Sequence, residues 1–511
     1  MNRQAAAKWF ARRALLWAAL ALSAVFLLIG TKSSPLYPLN DNVDLNVFMT
    51  MGRGILAGKV PYRDLFEQKG PALFFLHALV SLIFPRGYFG QFLLEVICFA
   101  LFLFYSAKLV GLYVQNRAAQ YLVMLFLSAA LPLAPSFNNS GTVEQIFLFA
   151  LPLTAYLLLK GVKEKKPLTL AQNLLIGLLA AFGFWSKYTF SGFFAAAAIF
   201  VIIWYLSEKW FMELFLAALK MLGGFLLLTV PILLYFSANQ ALADLINVYF
   251  TQNMEGYARS EKSAWEYITG GVRGTLRSNR AAYGWLMWPG AALLLFAFIK
   301  RRWREALLPI LCFFGLAATT YMSSPGYSYY GLIFAPFCIL GLIALTLAPE
   351  RLLLRFGKGQ TTRALSPPVK LLLAGGCFCA IAGCLFALYS FTPNRYLLGV
   401  KKQDTPQYRF AAQMAAVPNA TMLNYWFLDG GFYHAAGIQP INRYYCYFNI
   451  NPPELAQEQV GMIKQGAFDF VVCRKHALSQ QMIDEGGYEL IDEMKMNFAG
   501  FVYDYYLFQK K

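Results

Sequence analysis

The sequence predicts a polytopic α-helical membrane protein that carries a small extracytoplasmic α/β domain at its C-terminal end. Its 511 residues are 58% hydrophobic and only 14% charged, and the mean hydropathy is +0.48. This composition lies outside the range of soluble globular proteins. The apolar residues form runs of roughly 20 residues, the length needed to cross a bilayer. After residue 391 the hydrophobicity falls and charges of both signs mix.

The formal net charge of +18 does not indicate a nucleic-acid partner. The lysines and arginines are dispersed in short clusters between apolar runs, as the positive-inside rule expects of cytoplasmic loops. No P-loop or G-x-G-x-x-G follows a predicted strand, so the sequence gives no support to a nucleotide-driven pump. Six of the eight cysteines lie inside apolar runs. Cys446 and Cys473 lie in the polar C-terminal part, either as a disulfide or as free thiols.

Taken in chain order, the apolar runs predict about eleven spans. The first is a signal anchor, because it has no small-residue cleavage site and continues into a polar loop. The spans are residues 14–30, 91–113, 120–136, 143–160, 170–187, 189–206, 215–237, 284–299, 305–322, 329–347 and 371–391.

The run 72–84 has about 13 residues and is predicted to be an interfacial or re-entrant helix. If it does not cross, the basic segments, such as 160–166 and 300–304, fall on the cytoplasmic side with the N-terminus. If it crosses, these segments lie outside, against the rule. The first alternative places one large loop, 31–90, on the extracytoplasmic side. The turn at Lys187 and the segments 137–142, 238–283 and 392–511 share that side.

The polar region 392–511 is predicted to be an extracytoplasmic domain, separate from the membrane domain 1–391. Strand composition marks 420–428, 468–473 and 500–508. Helical patterns mark 407–416, 453–465 and 478–485. This alternation predicts an α/β fold.

The loop 31–90 gathers charged residues next to the first span. Asp41 and Asp44 are three residues apart, so on a helix both lie on one face. They are suited to accept a proton from a hydroxyl or to hold a divalent ion against a phosphate. The alternative is a structural role, with Asp41 capping a helix that begins near Val43.

Further candidates lie on the same predicted side. Glu144 lies at the start of the fourth span. Together with Asp44 it forms a candidate metal site. The alternative role of Glu144 is to compensate the helix dipole. Lys69, Arg63 and Lys187 are candidates to bind the phosphate of a lipid substrate. Snorkelling to lipid headgroups is the alternative for the lysines. The tyrosines of 321–330 and 444–447 either stack on sugar rings or belong to the interfacial belt.

The order of these motifs resembles the GT-C superfamily of membrane glycosyltransferases, and within it the lipid A aminoarabinose transferase and protein O-mannosyltransferase branch. In that branch the first loop runs from an acid through R-x-x-L-A to F-E-K-P. Anchoring on Arg53 and Leu56 aligns the family acid with Asp44. The lysine of F-E-K-P, which contacts the carrier phosphate in the family, aligns with Lys69. This sequence differs by Gln68 and Gly70, in F-E-Q-K-G-P.

Two later positions also match the family. Its second-loop acid aligns with Glu144, and a lysine near an outer helix end aligns with Lys187 in W-S-K. The motifs cover roughly residues 10–200, and the rest matches by architecture alone. Fewer spans are predicted here than in the aminoarabinose transferases.

The resemblance implies a glycosyltransferase of the bacterial plasma (inner) membrane that uses a polyprenyl-phosphate sugar donor and a glycan, lipid or protein acceptor. Asp44 and Glu144 are then the expected catalytic residues, and Asp41, Arg63, Lys69 and Lys187 are expected to bind substrate. The alternatives are a lipid or glycan transporter or flippase and a non-catalytic envelope assembly protein. No internal repeat supports the transporter.

Overall fold

The computed structural model describes residues 3–137, 140–257, 262–322, 326–356, 367–498 and 501–511. The α-helices are α1 (Arg3–Gly30), α2 (Val43–Leu56), α3 (Pro71–Ile83), α4 (Phe89–Val110), α5 (Arg117–Ala130), α6 (Val143–Phe147), α7 (Ala150–Glu164), α8 (Leu170–Ser186), α9 (Ser191–Ser207), α10 (Phe211–Ala238), α11 (Leu242–Ile246), α12 (Asn253–Tyr257), α13 (Ala264–Ser278), α14 (Met287–Ile299), α15 (Trp303–Tyr321), α16 (Cys338–Phe356), α17 (Pro367–Phe391), α18 (Pro406–Met414), α19 (Phe432–Ala436), α20 (Pro453–Lys464) and α21 (Gln480–Gly486). The strands are β1 (Met422–Tyr425), β2 (Phe470–Arg474), β3 (Tyr488–Phe498) and β4 (Phe501–Lys510).

The prediction of a helical membrane protein is confirmed. Each predicted span coincides with a helix or with consecutive helical segments. Within the described ranges, six helices are long and apolar enough to cross a bilayer, among them Phe89–Val110 and Phe211–Ala238. Shorter apolar helices, including Leu170–Ser186, occupy other predicted spans. The number of crossings therefore stays a prediction.

The loop 31–90 contains two helices rather than extended chain. Helix α2 packs against α3, and α3 is 13 residues long, too short to cross a bilayer of about 30 Å at 1.5 Å per residue. Buried apolar residues on both helices, including Phe48 and Phe74, join the main hydrophobic core. The polar loop is thus a folded layer over the end of the helical bundle.

The C-terminal region contains a four-stranded sheet in the order β1-β2-β4-β3. Strands β1 and β2 are parallel, whereas β4 is antiparallel to both of its neighbours. Strand β3 was not predicted from the sequence. It lies at the sheet edge with mostly exposed or half-buried side chains, so its composition lacks the apolar signal of a central strand.

Backbone hydrogen bonds connect the C-terminal region to the loop 31–90. The Phe66 N–H donates to the Arg443 carbonyl oxygen over 3.0 Å. The Ile450 N–H donates to Gln68 Oε1 over 3.1 Å. The loop is therefore held between the helical bundle on one side and the sheet region on the other.

The two cysteines of this region do not form a disulfide. Cys446 and Cys473 are both buried, free thiols. Cys473 lies on β2, where it pairs in register with Tyr425 and Tyr506. Of the two alternatives that the sequence leaves open, the structure has the free thiols.

Candidate active site

The start of α2 fixes the position of Asp44. The helix begins at Val43 as predicted, but its N-cap is Asn42 and not Asp41. The Asn42 side chain accepts a hydrogen bond from the Asp44 N–H over 2.9 Å. Its amide also donates to the Ser140 carbonyl oxygen over 2.8 Å. One cap residue therefore stabilises α2 and ties the first loop to the second.

The second loop presents Glu144 in the first turn of α6. Gly141 has φ +86°, a conformation that favours glycine, and its N–H donates to Gln145 Oε1 over 2.8 Å. Glu144 is buried, with 1% of its surface exposed. Its Oε1 lies 2.5 Å from Lys187 Nζ, whereas Oε2 has no hydrogen-bond partner within the described residues.

Lys187 lies at the break between α8 and a short 3-10 helix, Tyr188–Phe190. Its ammonium group is 3.5 Å from the centroid of the Tyr330 ring and 5.5 Å from that of Tyr329. An ammonium over an aromatic face at this distance is a cation–π contact. The lysine side chain is therefore held between a carboxylate and two tyrosine rings.

Gly70 brings Lys69 to the same helix break. The Gly70 N–H donates to the Ser186 carbonyl oxygen over 3.0 Å. A Cβ atom at this position would lie 1.9 Å from the Trp185 carbonyl oxygen, so only glycine permits this approach of the two backbones. The ammonium of Lys69 lies 3.7 Å from Glu67 Oε1.

Tyr330 marks the point where the candidate side chains converge. Its phenol interacts electrostatically with Lys69, Glu144 and Asp44. The charge of Asp44 also acts on Tyr329. Four of the predicted site residues thus lie close enough to Tyr330 to interact with it electrostatically or through a cation–π contact. We call Asp44, Lys69, Glu144 and Lys187 the converging cluster.

Glu67 is a fifth charged group of this region that the sequence analysis did not select. It is buried, and burial raises the pKa of its carboxyl group above the usual 4.5, with the Asp44 charge adding to the rise and Lys69 opposing it. Its position inside the F-E-Q-K-G-P motif was the available signal. The cause of this rise is that burial disfavours the charged form of the carboxyl group.

The structure does not bring Arg63 into the converging cluster. Its side chain is 43% exposed, and its guanidinium donates to the Asp64 carboxylate and, over 2.7 Å, to the Asn239 carbonyl oxygen. Arg63 therefore joins the first loop to the end of α10, outside the converging cluster, and its role in substrate binding stays a prediction.

Asp41 has a structural environment. Its carboxylate is buried, forms an ion pair with Lys32 and accepts a hydrogen bond from the Tyr396 hydroxyl. Lys32 balances its charge, and a role for Asp41 in substrate binding stays a prediction. Asp41 joins the first loop to the segment after α17.

Glu95 is a buried acid that sequence analysis overlooked, although a carboxylate inside a predicted span is itself a signal. It accepts hydrogen bonds from Ser33 Oγ over 2.7 Å and from Gln145 Nε2 over 2.9 Å, and also from Thr31 and Gln91. This network fixes Gln145 and hence the position of its neighbour Glu144.

A divalent metal at Asp44 and Glu144 was the predicted alternative use of these acids. The part of the chain that the structure describes contains no group of three or more His, Cys, Asp or Glu side chains able to hold a metal ion. One Glu144 oxygen is already paired with Lys187. Because Mg²⁺ can bind through one or two carboxylates together with water and a substrate phosphate, a metal at Asp44 and Glu144 stays a prediction.

Comparison with known proteins gives four findings. A family model described as dolichyl-phosphate-mannose-protein mannosyltransferase matches residues 68–235, a range that includes Lys69, Glu144 and Lys187. The crystal structure of ArnT from Cupriavidus metallidurans bound to undecaprenyl phosphate matches with a TM-score of 0.60 and 14% identity, over 95% of this chain and 97% of that one. No curated protein sequence matches significantly.

The arabinofuranosyltransferase AftD from mycobacteria, as its R1389S mutant, also matches, with a TM-score of 0.40 and 12% identity. The match covers 96% of this chain and 41% of AftD.

The fold is similar to that of ArnT, and residues 68–235 resemble the protein mannosyltransferases. Both findings support the resemblance to the GT-C membrane glycosyltransferases. The resemblance drawn from the sequence motifs is therefore confirmed.

Proposed function

We propose that this protein transfers a sugar from a polyprenyl-phosphate carrier to an acceptor hydroxyl at the outer face of the bacterial plasma membrane, with inversion at the anomeric carbon. The N-terminus is then cytoplasmic, and the region 392–511 is extracytoplasmic. The observation that carries this proposal is the converging cluster, in which two acids and two lysines meet at one end of an apolar helical bundle.

The location of the cluster suits a lipid-linked donor. Lys69 lies two residues before the start of α3, the short helix predicted to lie at the membrane surface. A carrier chain can remain in the hydrocarbon region while its phosphate and sugar reach the polar residues. The undecaprenyl phosphate bound to ArnT supports a donor of this type.

Asp44 is the proposed general base. The acceptor oxygen attacks the anomeric carbon as the bond from that carbon to the phosphate oxygen breaks, and the hydroxyl proton passes to the Asp44 carboxylate. The bonding electrons leave with the polyprenyl phosphate. Asp44 is half-buried, so it is reachable, unlike the buried Glu144.

Lys69 is the proposed contact for the departing phosphate. A fixed ammonium in a site of low dielectric stabilises the charge that develops on the leaving group. Burial raises the pKa of Glu67. Glu67 is therefore less readily ionised than an ordinary carboxyl group and neutralises less of the positive charge of Lys69. Lys187 is already paired, so we assign it and Glu144 to positioning Tyr330 and the acceptor side of the site.

The proposal is tested by Asp44→Asn in the purified full-length protein, with release of sugar from a panel of polyprenyl-phosphate sugars as the readout. We expect the rate of sugar transfer to fall by about 10³-fold or more. Loss of a general base together with misorientation of the acceptor can have an effect of this size. Asp404→Asn, an exposed acid of the C-terminal region, is the matched control. Full activity of Asp44→Asn would reject the assignment. Failure of every sugar donor with the wild-type protein would reject the function.

A further inference from the structure

A second polar cavity lies at the far end of the helical bundle. It has a volume of about 610 Å³, opens to the surface and is lined by residues of α1, α4, α5 and α7. Lys108 of α4 lines the cavity. Glu95 of the same helix belongs to the hydrogen-bond network beside the candidate active site. Thirteen residues of helix separate these two by about 20 Å at 1.5 Å per residue. The cavity is therefore distinct from the converging cluster.

The lining of this cavity is strongly cationic. It contains Arg13 from α1, Lys108 from α4 and Arg117 from α5, and none of the described residues that line it carries a carboxylate. Gln120 and Tyr121 add polar groups. Because three like charges from separate helices face one volume, a bound anion would lower their mutual repulsion.

Aromatic rings hold the central lysine in place. The ammonium of Lys108 lies 5.6 Å from the ring centroid of Phe104 and 5.9 Å from that of Tyr156. Both rings also line the cavity. The Lys108 side chain is therefore held beside the cavity by these two rings and does not lie along the outer surface of the bundle.

The remaining walls are suited to a lipid rather than to a free anion. Leu15, Leu16 and Leu112 line the cavity. Next to it, Trp17 and Leu122 expose 41% and 62% of their surfaces on helices predicted to face the bilayer. Apolar walls beside a cationic centre accommodate a phosphate headgroup with acyl chains leaving along the helices.

We propose that this cavity binds the phosphate headgroup of an anionic phospholipid from the leaflet opposite the candidate active site. The site is independent of sugar transfer. A bound headgroup bridges α1, α4 and α5, and α1 and α4 position Thr31 and Glu95 at their other ends. Lipid binding is therefore expected to stabilise the bundle that supports the active site.

The test uses the full-length protein, purified in neutral detergent, with phosphatidylglycerol as the probe and native mass spectrometry as the readout. We expect the wild-type protein to retain phosphatidylglycerol at least tenfold better than phosphatidylcholine, and the difference to shrink at high salt. The double variant Lys108→Gln/Arg117→Gln is expected to lose this preference. The control Lys166→Gln/Lys300→Gln changes two exposed cations outside the cavity and is expected to keep it.

Equal retention of both lipids by the wild-type protein would overturn the proposal, and this comparison does not depend on the folding of any variant. An unchanged preference in Lys108→Gln/Arg117→Gln would also overturn it. Displacement of phosphatidylglycerol by millimolar inorganic phosphate would show a site for free phosphate instead of a lipid site.

Discussion

The buried ion pair between Glu144 and Lys187 allows a quantitative test of the site. Their charged atoms are 2.5 Å apart, and the side chains are 2% and 7% exposed. Removing one partner of such a pair leaves an uncompensated buried charge and typically costs about 3–5 kcal/mol, whereas replacing both partners by neutral groups of similar volume is often close to neutral.

The structure predicts which single variant is the worse. In Glu144→Gln, the Lys187 ammonium keeps its position over the Tyr330 ring, so we expect a loss of about 3 kcal/mol in the free energy of unfolding. In Lys187→Met the Glu144 carboxylate loses its ammonium partner, and its Oε2 has no hydrogen-bond partner within the described residues. We expect a loss of about 5 kcal/mol for this variant.

The double variant Glu144→Gln/Lys187→Met completes a double-mutant cycle, measured by equilibrium unfolding in mixed micelles. We expect it to lose only about 1 kcal/mol, which corresponds to a coupling energy well above the roughly 0.5 kcal/mol expected of independent sites. If the losses of the two single variants add up to the loss of the double variant within about 0.5 kcal/mol, the buried ion pair is refuted. If the double variant recovers stability but not sugar transfer, the pair has a role in the reaction as well as in folding.

Two further predictions concern the first loop. Gly70→Ala places a Cβ atom 1.9 Å from the Trp185 carbonyl oxygen. Because a backbone atom cannot move aside as the end of a side chain can, we expect the free energy of unfolding to fall by about 3 kcal/mol and the unfolding midpoint to fall with it. An unchanged midpoint would contradict the close approach of the two backbones. Burial raises the pKa of Glu67 above 4.5. Between pH 4.5 and the raised pKa, the native state therefore binds more protons than the unfolded state. The free energy of unfolding falls as the pH rises through this window. Glu67→Gln should abolish this fall in a series of unfolding midpoints from about pH 4.5 to 8, whereas parallel curves for the two proteins would exclude the raised pKa.

The sequence by itself determined the membrane class and the order of the helices. Apolar runs of fixed length leave few alternatives for a chain that must satisfy its backbone hydrogen bonds in hydrocarbon. The 13-residue helix α3 was predictable for the same reason. Edge strand β3 was not, because an exposed strand carries little hydrophobic signal.

The sequence also selected Asp44, Lys69, Glu144 and Lys187, since charges at the ends of apolar runs need partners or a function. It also selected Asp41 and Arg63, which lie in the same loop as Asp44 and Lys69.

Only the tertiary structure decided between these two groups. Lys32 and the Asn239 carbonyl oxygen engage Asp41 and Arg63, whereas the approach of Gly70 to Ser186 brings Lys69 to the helix break that carries Lys187. Such pairings join residues far apart in sequence, and local pattern does not encode them. The physical reason is that a buried charge is stabilised by whichever group packing places beside it, so its role follows from the fold.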